Sequence, residues 1–381
     1  MSSELQRPQM TVVRNPMRRD GFDPGSVPTA PREFHRKLPG YAPTPLRDAG
    51  RLAGELGVAG VLVKDEFERF GLPAFKMLGA SWATYRTLEA LHGEPFEDWD
   101  TTLDLRERVG ELGPLTLATA TDGNHGRAVA RMASWLGLGA RIRVPDGTVT
   151  ARIGAIASEG AEVTISTGGY DDAVAEVAAW ADERTLVISD TSWEGYEDVP
   201  AWIIDGYSTI FAEIDEQLAA TGAQLPTVVL VPVGVGAFAA AVVTRFRQPD
   251  AASTRIVAVE PVDAACVMAS ANAGRVVTLE GEQHSIMAGL NCGTPSPVAW
   301  QRVSAGTDVF VAVTDDEARD AMRGLADVGV VAGESGAASL AGARALGAAG
   351  HLGSDDRVLL LSTEGVTDPV AYEQIVSSRA G

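Results

Sequence analysis

From about Gly60 onward, short β-branched apolar runs alternate with longer, alanine-rich stretches of helical period. The runs lie at 61–63, 115–120, 140–144, 162–165, 186–189, 227–233, 255–259, 309–313 and 358–361. Stretches such as 80–91, 171–181 and 315–325 carry the helical pattern between them. This alternation predicts crossover helices on parallel sheets, an α/β architecture. The first 45 residues break the pattern, since they hold eight of the 20 prolines. Proline fixes φ and removes a donor, so this segment is expected to be irregular and draped over the body. The most apolar stretch, 227–243, is too short to span a bilayer comfortably and is interrupted by Pro232, Gly234 and Gly236. It reads as a buried strand, turn and helix.

Composition narrows the function. The 381 residues are 45% hydrophobic and 22% charged, enough for a full core. Thirty-one basic residues face 51 acidic ones, a net charge of −20. So acidic a surface repels nucleic acid and anionic lipid, and neither is expected as a partner. Two cysteines, Cys266 and Cys292, make no disulfide framework and read as reduced thiols. The start of the sequence has no apolar signal-peptide core, and a cytoplasmic location is expected. Five scattered histidines and no CxxC or HxxH spacing give no metal site.

Four segments are chemically suggestive. Only three of the basic residues are lysines, Lys37, Lys64 and Lys76. Lys76 follows Phe70-Gly71-Leu72-Pro73-Ala74-Phe75 and opens a helix among apolar residues. A helix N-terminus and apolar walls both favour the neutral amine that Schiff-base chemistry uses. A helix lysine snorkelling to solvent fits the same pattern. Thr121-Asp122-Gly123-Asn124-His125-Gly126 ends one predicted strand and opens the helix at 128–136, where ligands of α/β proteins bind. A plain N-cap would explain Asp122 or Asn124 singly. Gly234-Val235-Gly236-Ala237 follows an apolar strand, and its amides with the next helix N-terminus suit a phosphate. The same stretch, 234–239, also fits a dinucleotide fingerprint, with Glu260 ending the next strand as the ribose ligand. Last comes Ser362-Thr363-Glu364-Gly365 after the final strand, which is equally an ordinary turn.

In this order, the four elements resemble the fold-type-II pyridoxal-phosphate enzymes, the group of tryptophan synthase β and threonine dehydratase. The resemblance implies two open, twisted, largely parallel sheets with helices on both faces, and a small domain inserted in a large one. The implied large domain comprises 1–87 and 191–381, and the small one 88–190. It also implies Lys76, with Phe75 beside it, as the Schiff-base lysine. Asn124 would meet the cofactor's 3′-oxygen, Gly234 to Ala237 its phosphate, and Ser362-Thr363 its ring nitrogen.

Ala74 where the group has Ser, the sequence Thr-Asp-Gly-Asn-His-Gly at 121–126, and segments 200–207 and 287–293 are similar to the diaminopropionate ammonia-lyases. That likeness implies α,β-elimination of 2,3-diaminopropionate to pyruvate and ammonia in a homodimer. Lys76 would act as base on the L-isomer and Asp122 on the D-isomer. His125, Tyr170 and Asp190 would lie on the substrate side, although each also reads as a structural residue. A threonine or serine dehydratase or a β-replacing synthase shares the fold, and Asp122 speaks against both. A nicotinamide oxidoreductase using 234–239 and Glu260, and a non-catalytic metabolite-binding relative, are the other readings. The acidic run Asp315-Asp316-Glu317 after Thr314 predicts a capping box, Asp171-Asp172 a helix start, and Gly333-Glu334-Ser335-Gly336 a helix-opening turn.

Overall fold

A computed structural model describes residues 11–121 and 123–378. Among them eleven strands form two sheets. They are β1 (Thr11–Arg14), β2 (Leu46–Asp48), β3 (Gly60–Asp65), β4 (Thr116–Ala120), β5 (Gly139–Val144), β6 (Glu162–Ile165), β7 (Thr185–Val187), β8 (Val228–Pro232), β9 (Arg255–Pro261), β10 (Val309–Val313) and β11 (Arg357–Ser362). The larger sheet runs β1-β10-β9-β8-β11-β3-β2 and the smaller β6-β5-β4-β7. All pairings are parallel except at the two edges of the larger sheet, where β1 and β2 run antiparallel to their neighbours.

Side chains alternate faces along a strand, and the central strands are apolar on both. Val229 and Val231 of β8, Ile256 and Ala258 of β9 and Leu359 and Leu361 of β11 enter one core. Their neighbours Val228, Leu230, Val257, Val259, Val358 and Leu360 enter the other. The second core is covered by helix Glu334–Ala348, whose residues are nearly all buried. The first core continues through helix Lys76–His92 into the smaller sheet, reaching Leu117, Ile142 and Val144. The two sheets therefore share one apolar interior.

The N-terminal segment differs from expectation. Thr11–Arg14 is β-branched, lies between prolines and completes the sheet edge against β10. Ala30–Arg36 is a helix with Pro31 in its first turn, where a missing N–H costs nothing. His35 in this helix is fully buried, and burial pushes its pKa down to about 3. Its Nε2 lies 3.0 Å from the Leu78 carbonyl, which can only accept, so the imidazole proton sits there. The strand expected at 186–189 is also shorter, ending at Val187. The Ile188 carbonyl faces a histidine and the Ser189 amide donates to the Tyr196 hydroxyl, so both leave the ladder for side chains. The expected capping box of Thr314 and Glu317 is present.

Behind β3 lies a buried cluster of four charges. Lys64 Nζ is 2.8 Å from Glu213 Oε2. Arg69 reaches Glu213 Oε1 at 2.7 Å and Glu66 Oε1 at 2.7 Å. All four side chains are at most 2% exposed. Thr44 and Tyr41 add hydroxyl donors to Glu66 and Glu213. Burial pushes Glu213 up, but the Arg69 bonds and charge, then Lys64, overcome it and hold the carboxyl well below the usual range. Glu213→Gln leaves two buried cations facing one carboxylate, and is expected to cost about 3–5 kcal/mol in urea unfolding at pH 7. Because the folded-state pKa is depressed, Glu213's contribution is complete above about pH 4.5 and lost as the pH falls towards 2. The stability gap between wild type and variant is therefore expected to narrow across that window.

Candidate active site

Parallel strands deliver their carboxyl ends, and the loops beyond them, to one side of a sheet. Here β4, β7, β8 and β11 do so around a concave cleft that is partly open to solvent, the usual setting of a small-molecule site. Its walls include Phe75, Lys76, Asn124, His125, Tyr170, Asp190, the segment 232–239, Thr363 and Glu364. The cleft thus gathers residues more than 280 positions apart in sequence.

Lys76 begins its helix directly after the loop that leaves β3. That loop is pinned at both ends. Arg69 and Leu72 pair across a tight turn at Phe70-Gly71, and Phe75 N donates to the Thr363 carbonyl at 3.4 Å. Phe70 takes a positive φ of 56° there, a conformation that costs a non-glycine residue about 1–3 kcal/mol. Its carbonyl accepts from Arg131 Nη1 at 3.0 Å, which fixes the turn against helix Asn124–Leu136. The Phe75 ring packs at a tilt against Phe238 and Tyr207, with centroids 4.4 and 4.8 Å away.

Lys76 Nζ lies 2.6 Å from Asp190 Oδ2, and Tyr170 OH donates to Asp190 Oδ1 at 3.0 Å. Burial alone would raise the Asp190 carboxyl, but the adjacent Lys76 charge holds it well below the ordinary carboxylate range. His125 sits beside this pair with Nε2 2.7 Å from the Ile188 carbonyl. The carbonyl can only accept, so Nδ1 is the bare nitrogen, and it is buried with no partner among the described residues. Burial lowers the His125 pKa, which keeps that nitrogen an acceptor. Asn124 opens its helix, and Thr121 Oγ1 shapes the turn before it by accepting from the Gly123 and Gly126 amides.

At the far end, the loop after β8 enters helix Ala237–Phe246, which has no acidic residue in its first turn. Its first amides have no acceptor within the helix. Gly236 has φ +98°, and a Cβ at Gly234 would stand 3.1 Å from Cys292 Sγ and 3.2 Å from the Gly289 carbonyl. Both glycines are therefore required by this loop path. Ser362 Oγ is buried at the end of β11 with no hydrogen-bond partner among the described residues.

These features fit pyridoxal phosphate: an amine for its aldehyde, a helix N-terminus for its phosphate, an orphaned hydroxyl for its ring nitrogen and an amide for its 3′-oxygen. Of the residues singled out in the sequence, Lys76, Phe75, Asn124, His125, Tyr170, Asp190, Gly234, Val235, Gly236, Ala237 and Thr363 line the cleft, whereas Ser362 is buried at the end of β11 and is not among its lining residues. Asp122 lies outside the described residues. Glu260 does not serve a ribose. It is fully buried, and its carboxylate accepts from the Val267 and Met268 amides at 2.8 Å each. Sequence reasoning passed over Glu364, Ser335, Gly289 and Cys292, which also line the cleft.

The chain belongs to the pyridoxal-phosphate dependent enzymes, whose family model matches residues 37–364. Within that class it belongs with the diaminopropionate ammonia-lyases. It is 38% identical to diaminopropionate ammonia-lyase of Escherichia coli K12, over 91% of this chain and 90% of the relative. It is equally 38% identical to that of Salmonella typhimurium, over 90% of each. Its fold superposes on the crystal structure of the Escherichia coli enzyme in complex with D-serine with a TM-score of 0.88, at 35% identity and 97% coverage of both chains.

The loop geometry makes Gly234 a test of where the phosphate sits. Gly234→Ala is expected to weaken pyridoxal phosphate binding roughly ten-fold or more, about 1.4 kcal/mol. Equilibrium dialysis of the cofactor-free protein reads this directly, and unchanged affinity would move the phosphate elsewhere.

Proposed function

We propose that the protein converts 2,3-diaminopropionate to pyruvate and ammonia by α,β-elimination, with Lys76 and Asp122 as the two bases. The reading is carried by one observation: the Lys76 amine meets Asp190 at 2.6 Å in a cleft that is also lined by the helix N-terminus at Gly236 and Ala237. Pyridoxal phosphate, when bound, supplies the electron sink that makes the substrate's α-proton removable.

The chain's residues supply the rest. Lys76 would hold the cofactor through its Nζ, and the same nitrogen, once free, would take the α-proton of the L-isomer. Asp190 sits where it orients that amine and offsets its positive charge. A D-isomer presents its α-proton on the opposite face and needs another base, the role given to Asp122 on its sequence position beside Asn124. The β-amine leaves as ammonia only when protonated, and a cationic amine suits the acceptors at this end of the cleft. These are Asp190, the Tyr170 oxygen and the bare Nδ1 of His125. The Asn124 loop takes the substrate carboxylate. In this reading the larger sheet belongs to a domain built from 1–87 and 191–381, and the smaller to one of residues 88–190. The active species is a cytoplasmic homodimer. Among the described residues no helix is long and apolar enough to cross a membrane.

Two variants and a substrate panel test this. Lys76→Ala is expected to remove the visible absorption band of the bound cofactor and lower turnover by about 10²–10⁴-fold. An unchanged spectrum would refute the assignment. Asp122→Asn is expected to lower turnover of the D-isomer by about 10²–10⁴-fold, with a loss of less than about ten-fold on the L-isomer. Equal losses would remove the dedicated second base. Keto-acid release from L- and D-2,3-diaminopropionate, L-serine and L-threonine, each offered alone, separates the lyase from a dehydratase. Pyruvate from both diaminopropionate isomers is the expected result.

A further inference from the structure

The turn after β11 touches more of the cleft than its sequence suggests. Glu364 is 4% exposed, and its carboxylate lies between two elements. Oε2 accepts from Asn124 Nδ2 at 2.6 Å, and Oε1 accepts from the Ser335 amide at 2.9 Å, in the first turn of helix Glu334–Ala348. The Glu364 backbone is held as firmly. Its carbonyl accepts from Gly333 N at 3.0 Å, and it bridges Ala74 in the loop that carries Lys76. Next to it, Gly365 N donates to the Pro73 carbonyl at 2.9 Å. A Cβ on Gly336 would come within 2.6 Å of the Glu364 carbonyl, so the helix start is pressed against this turn.

We propose that Glu364 is a positioning residue, fixing which face of the Asn124 amide meets the cofactor. A primary amide can turn over, exchanging its donor and acceptor ends at little steric cost. A carboxylate only accepts, so Glu364 admits the NH₂ end of Asn124 and excludes the carbonyl end. One N–H of Asn124 is thereby engaged, and its second N–H and its Oδ1 remain for an occupant of the cleft. The bond also crosses the molecule. Asn124 follows β4 of the smaller sheet, whereas Glu364 follows β11 of the larger one and shares its frame with the Lys76 loop. Asn124 is thus oriented relative to Lys76, and through a charge-assisted bond, the stronger kind. This inference rests on the reading that Asn124 faces pyridoxal phosphate.

Glu364→Gln keeps the shape but brings an NH₂ of its own. With one acceptor oxygen in place of two, it either loses the Ser335 or the Asn124 bond or makes Asn124 turn over. The test compares Glu364→Gln, Asn124→Ala, the double variant and Glu364→Asp. The readouts are pyridoxal phosphate titration of each cofactor-free protein, the pH dependence of the visible band and the thermal midpoint without cofactor. Glu364→Gln is expected to weaken cofactor binding roughly 5- to 30-fold and to shift the pH dependence of the band. The double variant is expected to bind within about two-fold of Asn124→Ala alone, the signature of two residues acting as one. Glu364→Asp, which still only accepts, is expected to keep the wild-type pH dependence. If Glu364→Gln does not fold, Glu364→Ala, which removes the acceptor altogether, and its combination with Asn124→Ala complete the same cycle. Losses that multiply in the double variant, or a Glu364→Gln protein that binds and titrates like wild type, would overturn the proposal while leaving the cofactor site standing. Failure of the wild type itself to bind pyridoxal phosphate would overturn the cofactor reading, and this inference with it.

Discussion

The geometry of the cleft depends on four charges that never meet solvent. Lys64, Glu66, Arg69 and Glu213 are buried behind β3, and each finds an opposite charge within 2.9 Å. Burying such groups is costly unless every charge is paired and every donor used. That condition admits few backbone paths. Glu66 and Arg69 belong to the loop running from β3 to Lys76, so satisfying the cluster also fixes where this loop can go. The strained turn at Phe70 is tolerated because Arg69 on one side and Arg131 of helix Asn124–Leu136 on the other hold it in place. Lys76 therefore enters the cleft from a rigid support, where a floppy amine would lose much of its advantage as a positioned nucleophile.

A second constraint acts across the cleft. The smaller sheet contributes Asn124, His125 and Asp190, and the larger contributes Lys76, the loop at Gly234 and the turn at Glu364. The bonds from Lys76 to Asp190 and from Asn124 to Glu364 join the two sets directly. Across the cleft, the Lys76 amine and the Asp190 carboxylate offset each other's charge. A substrate that enters must replace these contacts with equivalent ones. A diamino acid, with two amines and one carboxylate, carries groups of the kinds required.

How far the sequence spoke for itself varies with the range of the interaction. Alternating strand and helix patterns located the sheets because periodicity is local. Lys76, Asn124 and Gly234 were legible because each sits at the end of an apolar run, where loop chemistry stands out. Glu364 was not, although its segment was noticed, because its meaning lies in a bond to a residue 240 positions away. The helix Ala30–Arg36 was hidden by prolines that read as breakers but here open it. Glu260 misled for a related reason: an acid at a strand end suits a ribose, yet the following helix start claims both its oxygens. The buried cluster behind β3 was not legible, since Lys64 and Glu213 meet across 149 positions of sequence.

The two short antiparallel strands at the rims of the larger sheet bear on how copies of the chain can associate. An exposed parallel edge offers a row of free amides and carbonyls to any passing strand, and proteins protect such rims. Here β1 and β2 cover them with only four and three residues, turned against the direction of the sheet. A neighbouring molecule finds little ladder to extend. Association of copies through the larger sheet is therefore left to helix and loop surfaces, where side-chain shape and charge decide the fit. On a chain carrying twenty excess negative charges, that leaves recognition between copies to local patches able to overcome a general repulsion.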